Sequence, residues 1–193
     1  MGYQWSNQER LKASGVPSMN SIIEAAESIS NLKVKALYCL LYLTAGRIRE
    51  LVQDRTKNLP SIKKKDFSVA YRNNRKVILI DMRNEKNKNR HRKEIPITLD
   101  NEENLRLWSY IKEYLDTLNL ENELFDFSYQ YAYKSLKPYI DGNPHWLRHV
   151  RLTHLITIYD FNESLLSKYA GWSDSRPAKH YAELRWTDFL DRL

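Results

Sequence analysis

The 193-residue chain carries a single cysteine, Cys39. No disulfide can close within it, and a cysteine-rich zinc site is excluded. No apolar run approaches the roughly 20 residues needed to cross a bilayer. Residues 1–10 are polar and lack the apolar stretch of a secretory signal. Neither an internal repeat nor a low-complexity tract is present. What remains is ordinary folding material. Hydrophobic residues make up 42% and charged residues 28%, so one folded domain, with or without a small appendage, is expected rather than disorder. Five Trp, 13 Tyr and 5 Phe supply bulk for its core. A reducing, cytoplasmic setting fits the lone thiol.

Charge is unevenly placed. The net charge is +7, yet residues 55–96 alone hold 14 Lys and Arg against 4 Asp and Glu, so the rest of the chain is slightly acidic. The densest stretch contains Arg83, Lys86, Lys88, Arg90, Arg92 and Lys93. A basic segment of this kind is either a solvated loop or a nucleic-acid contact. The acidic stretch 101–126 is expected to face away from such a partner.

Residues 1–20 read as a flexible lead-in, and 21–28 as a short helix. Residues 32–43 are almost wholly apolar and have the length of a buried helix. A further helical piece follows Gly46 over 47–52. Residues 67–71, 76–82 and 93–98 read as strands. Asn73-Asn74 turns between the first two and the basic loop joins the last two, giving a small three-stranded antiparallel sheet. Leu107, Trp108, Ile111, Leu115 and Leu118 recur at helical spacing, so 101–118 is an amphipathic helix. Helices are also expected over 128–136, 145–159 and 162–170, with another opening at Pro177. Asn143 is the expected N-cap of the second of these, with Pro144 at its first position. The fold class is α+β and mainly helical.

Three groups of residues could carry chemistry. His145, Arg148 and His149 lie three and four apart on one helix. They can be polar groups at a helix N-terminus, an anion site built on His145 and Arg148, or a histidine pair on zinc with His154 or His91 in support. The zinc reading lacks an acidic or cysteine partner at a known spacing. Arg47 follows the apolar helix and needs a partner, which Glu50 can supply three residues on. Tyr181 is one of 13 tyrosines and says nothing alone.

Taken in order, these pieces resemble the catalytic domain of the tyrosine recombinase (phage integrase) family. Thr44 to Leu51 matches a Thr-x-x-Arg-Ile-x-Glu-Leu-like segment. His145 to His149 matches a His-x-Leu-Arg-His string. Trp172 follows Gly171, and Tyr181 lies nine residues beyond, at the spacing of the family's nucleophile. Counting back from Pro96, Lys88 matches the lysine of the hairpin between two strands, with Lys86 as competitor. Trp172 replaces the commoner histidine, and a context of this kind points toward an archaeal virus or plasmid. Twenty polar residues cannot supply the family's N-terminal clamp domain, so residues 21–193 are expected to be the catalytic domain.

The resemblance implies DNA strand breakage and rejoining without metal, ATP or other cofactor. Tyr181 would attack a phosphorus to form a 3′-phosphotyrosyl link. Arg47 and Arg148 would hold the nonbridging oxygens. His145 would assist proton transfer, Trp172 donate an indole hydrogen bond, and Lys88 protonate the departing 5′-oxygen. Glu50 would orient Arg47, and His149 would stand behind the site. Lys86, Arg90, Arg92 and Lys93 would contact DNA. The partner is double-stranded DNA, with no membrane involved. A homotetramer on DNA would form through the apolar set Leu184, Trp186, Phe189, Leu190 and Leu193, from a free monomer or weak oligomer. Two alternatives stay open: a DNA-binding protein of the same fold without activity, and relaxation of the type IB topoisomerase kind.

Overall fold

The computed structural model describes residues 15–85, 92–143, 145–173 and 176–179. Tyr181, Lys86, Lys88, Arg90, His91, Pro144 and the apolar set over 184–193 therefore lie outside the described residues.

Helix α1 (Met19–Ser28) begins two residues earlier than the sequence predicts, because Ser18 caps it by accepting the Ser21 N–H at 3.1 Å. Helix α2 (Leu32–Thr44) is the centre of the molecule. Val34 and residues 36–44 are buried, since α1, α4, α5 and α6 all pack on it. Its two early lysines stay at the rim, with Lys33 paired to Asp126 and Lys35 over the Tyr110 ring. Cys39 is fully buried there, and burial pushes its thiol pKa up, so it is not poised as a nucleophile. One turn of helix, α3 (Ile48–Leu51), follows.

The sheet has the order β1-β2-β3 and is antiparallel throughout, with β1 Phe67–Arg72, β2 Arg75–Arg83 and β3 Arg92–Thr98. Asn73 and Asn74 both take positive φ, 51° and 60°, as a tight two-residue hairpin requires. Alternation sends Ile78, Ile80 and Met82 from β2 and Ile95 and Ile97 from β3 into the core.

Helix α4 (Glu102–Asp116) is capped by Asn101 and buries Leu107, Trp108, Ile111, Tyr114 and Leu115 against α2 and α1. Then come α5 (Tyr129–Leu136), α6 (Trp146–Thr157), α7 (Glu163–Ala170) and the short α8 (Arg176–Lys179). No described helix is long and apolar enough to cross a membrane.

Two expectations are corrected. Asn143 is not the N-cap of α6; His145 holds that position without a side-chain cap bond. Asn143 instead accepts the His145 N–H on its Oδ1 at 2.8 Å, closing a turn just before the helix. The acidic stretch 101–126 does not face wholly away from the basic segment. Glu121 pairs with Lys63 and Lys65, and the Glu123 carboxylate accepts the Ser61 N–H at 3.0 Å.

Candidate active site

Thr44 starts the site. Its hydroxyl donates to the Leu40 carbonyl at 2.6 Å and accepts the Gly46 N–H at 3.1 Å, which folds the end of α2 back on itself. Ala45 takes the left-handed conformation at φ 47°. A Cβ on Gly46 would lie 2.8 Å from Thr44 Oγ1 and 3.0 Å from Met82 Cε, so a side chain here would press on the hydroxyl that closes the turn. The turn delivers Arg47 to the cap of α3, where its own N–H donates to Glu50 Oε2 at 3.0 Å and its Nη1 to Glu50 Oε1 at 2.9 Å.

Glu50 is 1% exposed and accepts two more bonds: Lys93 Nζ at 3.1 Å and the Glu85 N–H at 3.3 Å. Burial works against its charge. Lys93, the Arg47 N–H and the Arg47 and Arg148 charges outweigh that and hold the carboxyl below its usual range.

Arg148 reaches the same place from α6. It is 5% exposed; its Nη1 donates to the Ala45 carbonyl, two residues before Arg47, and its Nη2 to the Ala170 carbonyl at 3.0 Å. Its guanidinium carbon lies 5.4 Å from the Trp172 ring centroid. Gly171 ends α7 at φ 71°, and its carbonyl accepts the Asn84 amide at 3.1 Å. Among these side chains three cations face one carboxylate. The surplus positive charge in a buried setting is what an anion-receiving site needs.

The structure thus brings Arg47, Glu50, Arg148 and Trp172 together from three distant segments. His149 lies on the exposed side of α6, a step of about 100° from the buried Arg148. His145 is exposed ahead of the helix, as its N-cap. Among the described residues no group of three or more His, Cys, Asp or Glu could hold a metal ion.

Lys93 was expected on the surface with Arg92; the structure places it inside. The alternation that buries Ile95 and Ile97 also turns Lys93 inward, opposite Met82. That period-two pattern was the signal available in the sequence, and the high charge of the stretch masked it. Burial pulls the Lys93 pKa down to about 8, with Arg148 and Arg47 adding to the pull and Glu50 opposing it. Arg92 does face outward, but Asp81 holds it at 2.7 Å and Asp66 at 2.8 Å. Asn84, 6% exposed, is the other residue that sequence reasoning missed, since nothing local marks it. Beside Glu50 a cavity of about 600 Å³ opens, whose wall mixes Arg49, Lys57 and Arg83 with Asp54, Asp81 and Glu85. That wall has no dominant sign, unlike the arginine cluster.

No protein-family model matches the chain, and no curated protein sequence matches it. Solved structures do. XerH site-specific recombinase bound to difH substrate in a pre-cleavage complex matches with a TM-score of 0.56 at 21% identity, over 86% of this chain and 49% of that chain. The same recombinase on a palindromic difH substrate, in a post-cleavage complex, gives 0.58 at 20% identity, over 90% and 50%. XerA recombinase gives 0.51 at 16% identity, over 100% and 64%. At these identities the likeness is one of fold. The chain spans about half the length of the XerH chains it matches.

Proposed function

We propose that this chain, whose fold is that of the tyrosine recombinase catalytic domain, breaks and rejoins DNA strands through a 3′-phosphotyrosyl intermediate. Residues 21–193 form the catalytic unit in this reading. One observation carries it. Arg47 and Arg148, from segments a hundred residues apart, are buried together with Lys93 around the single carboxylate of Glu50. Two forked guanidinium groups can hold the nonbridging oxygens of a phosphodiester and stay charged at any working pH. In support, the XerH neighbours were captured with substrate before and after cleavage.

In the proposed reaction the Tyr181 oxygen attacks phosphorus, and the bond to the 5′-oxygen breaks. Lys88, with Lys86 as alternative, delivers the proton to that leaving oxygen. His145, exposed at the N-cap of α6, assists proton transfer. Trp172 supplies an indole N–H to an oxygen. Attack by a 5′-hydroxyl on the phosphotyrosyl link reverses the step, so the bond energy is conserved without ATP. Lys86 and Arg90 contact the DNA backbone, and a homotetramer on DNA forms through residues 182–193.

The test is covalent trapping. The protein is incubated with supercoiled plasmid carrying candidate attachment DNA, quenched with SDS and assayed for protein-linked DNA. Adducts that vanish in Tyr181→Phe, with DNA binding kept, are the expected result. Adducts at the wild-type level in that variant would remove Tyr181 from the role. Clear DNA binding with no adducts from the wild type would turn the reading toward an inactive DNA-binding protein.

A further inference from the structure

Each arginine of the cluster donates to an acceptor that a third group also holds. Arg47 donates to the Glu50 carboxylate, and Arg148 to the Ala170 carbonyl as well as to that of Ala45. Lys93 Nζ donates to both: to Glu50 Oε2 at 3.1 Å and to Ala170 O at 3.5 Å. One ammonium therefore ties the acceptor of the first arginine to the acceptor of the second, across α3 and the end of α7.

We propose that Lys93 is the positioning residue that sets Arg47 and Arg148 at a fixed separation for a phosphodiester. The inference rests on the strand-cleavage reading for its kinetic consequence only.

Alternative roles fit the geometry less well. A groove contact needs an exposed ammonium, and Lys93 is 4% exposed. A purely stabilising role is a poor explanation. A buried ion pair rarely adds stability over an apolar side chain of similar size, and Ile95, Ile97 and Met82 already line this face. The surroundings also hold the lysine stem closely. A Cβ on Gly171 would sit 3.0 Å from Lys93 Cδ and 2.8 Å from Asn84 Nδ2. The base of the β2–β3 connection thus grips the Ala170-Gly171 backbone at two points, with Asn84 on Gly171 and Lys93 on Ala170. Trp172 and the segment toward Tyr181 follow immediately. Displacement of a catalytic group by about 1 Å can cost 10²-fold in rate, so a tether of this kind matters to chemistry more than to folding.

The experiment compares wild type, Lys93→Met, Lys93→Gln and Lys93→Arg as full chains. Lys93→Gln keeps a polar, hydrogen-bonding stem but removes the ammonium, which covers the case of a Lys93→Met protein that does not fold. Two readouts are taken: the rate of covalent adduct formation at saturating plasmid, and the guanidinium ¹⁵N signals of Arg47 and Arg148 in the free protein. In Lys93→Met and Lys93→Gln the adduct rate is expected to fall ten- to a hundredfold, with plasmid affinity within threefold of wild type. The arginine signals broaden or shift, and Lys93→Arg recovers a good part of both. Wild-type adduct rates in Lys93→Met, or arginine signals unmoved by it, would overturn the proposal. A wild-type protein that forms no adducts, yet whose arginine signals respond to Lys93→Met, would sink the strand-cleavage reading and leave the positioning role supported.

Discussion

Lys93 carries its charge against its surroundings. Removal from water lowers its pKa, the Arg148 and Arg47 charges lower it further, and only Glu50 supports the ammonium. Its folded-state pKa of about 8 lies below the ordinary 10.5. Between those values the unfolded chain binds more protons, so this group's contribution to stability rises with pH across that window. The difference in unfolding free energy between wild type and Lys93→Met should therefore move in favour of wild type between pH 7.5 and pH 9.5. The expected change is on the order of 2 kcal/mol. Urea denaturation at the two pH values measures it, and a difference that stays constant would mean that Lys93 keeps an ordinary pKa. At this scale Arg47, Glu50 and Arg148 were legible, because each belongs to a short string with a physical reason for its residue types. Lys93 was obscured by its neighbours, because counting charge along a chain ignores which way a strand turns each side chain. Asn84 was invisible, since its partner is a backbone carbonyl 87 positions away.

Among the helices, α6 does two jobs. Its first turn presents Arg148 to the site, and its last turn anchors the chain entering α1. Tyr42 Oη lies 2.6 Å from His154 Nδ1, and His154 Nε2 lies 2.9 Å from the Pro17 carbonyl. A neutral ring protonated on Nε2 satisfies both, donating to Pro17 and accepting from the tyrosine. Burial, with Arg151 adding to it and the Pro17 bond opposing, pulls the His154 pKa down to about 4. A depressed histidine gives stability that is present above its unfolded value of 6.5 and is lost as pH falls toward 4. The loss across that window should amount to about 3 kcal/mol. Thermal midpoints at pH 7.5 and 4.5 for wild type and His154→Gln test it: the drop should be clearly smaller in the variant, and equal drops would remove His154 as its source. Most elements could be read from the chain because their signals were local. Asn73-Asn74 marked the hairpin, apolar residues at helical spacing marked α4, and the apolar run 32–43 marked α2. The start of α6 was misjudged because Asn143 closes a turn two residues too early to cap it.

For the whole molecule, charge decides how a polyanion is met. The basic segment 55–96 stands out in the sequence, but the fold spends part of it internally. Arg75 pairs with Asp100, Arg92 with Asp81 and Asp66, Lys63 and Lys65 with Glu121, and Lys93 with Glu50. Asp66 and Asp81 are already counted in the segment's net charge, but Glu50, Asp100 and Glu121 lie outside it, so sequence arithmetic could not see the pairs they make. Each DNA phosphate neutralised contributes a slope of about −0.9 to the dependence of log affinity on log salt. Ten contacts, the net charge of the segment taken at face value, would give about −9. The ion pairs reduce the number of cations ready to meet phosphate, so the slope is expected to be about −3 to −6. Fluorescence anisotropy with a labelled duplex between 50 and 200 mM salt measures it. A slope near −9 would mean that the surface pairs open on DNA, with Arg92 and Arg75 released to phosphate. A slope near zero would detach this segment from DNA binding altogether and leave the buried arginine cluster without the electrostatic surface that should bring DNA to it.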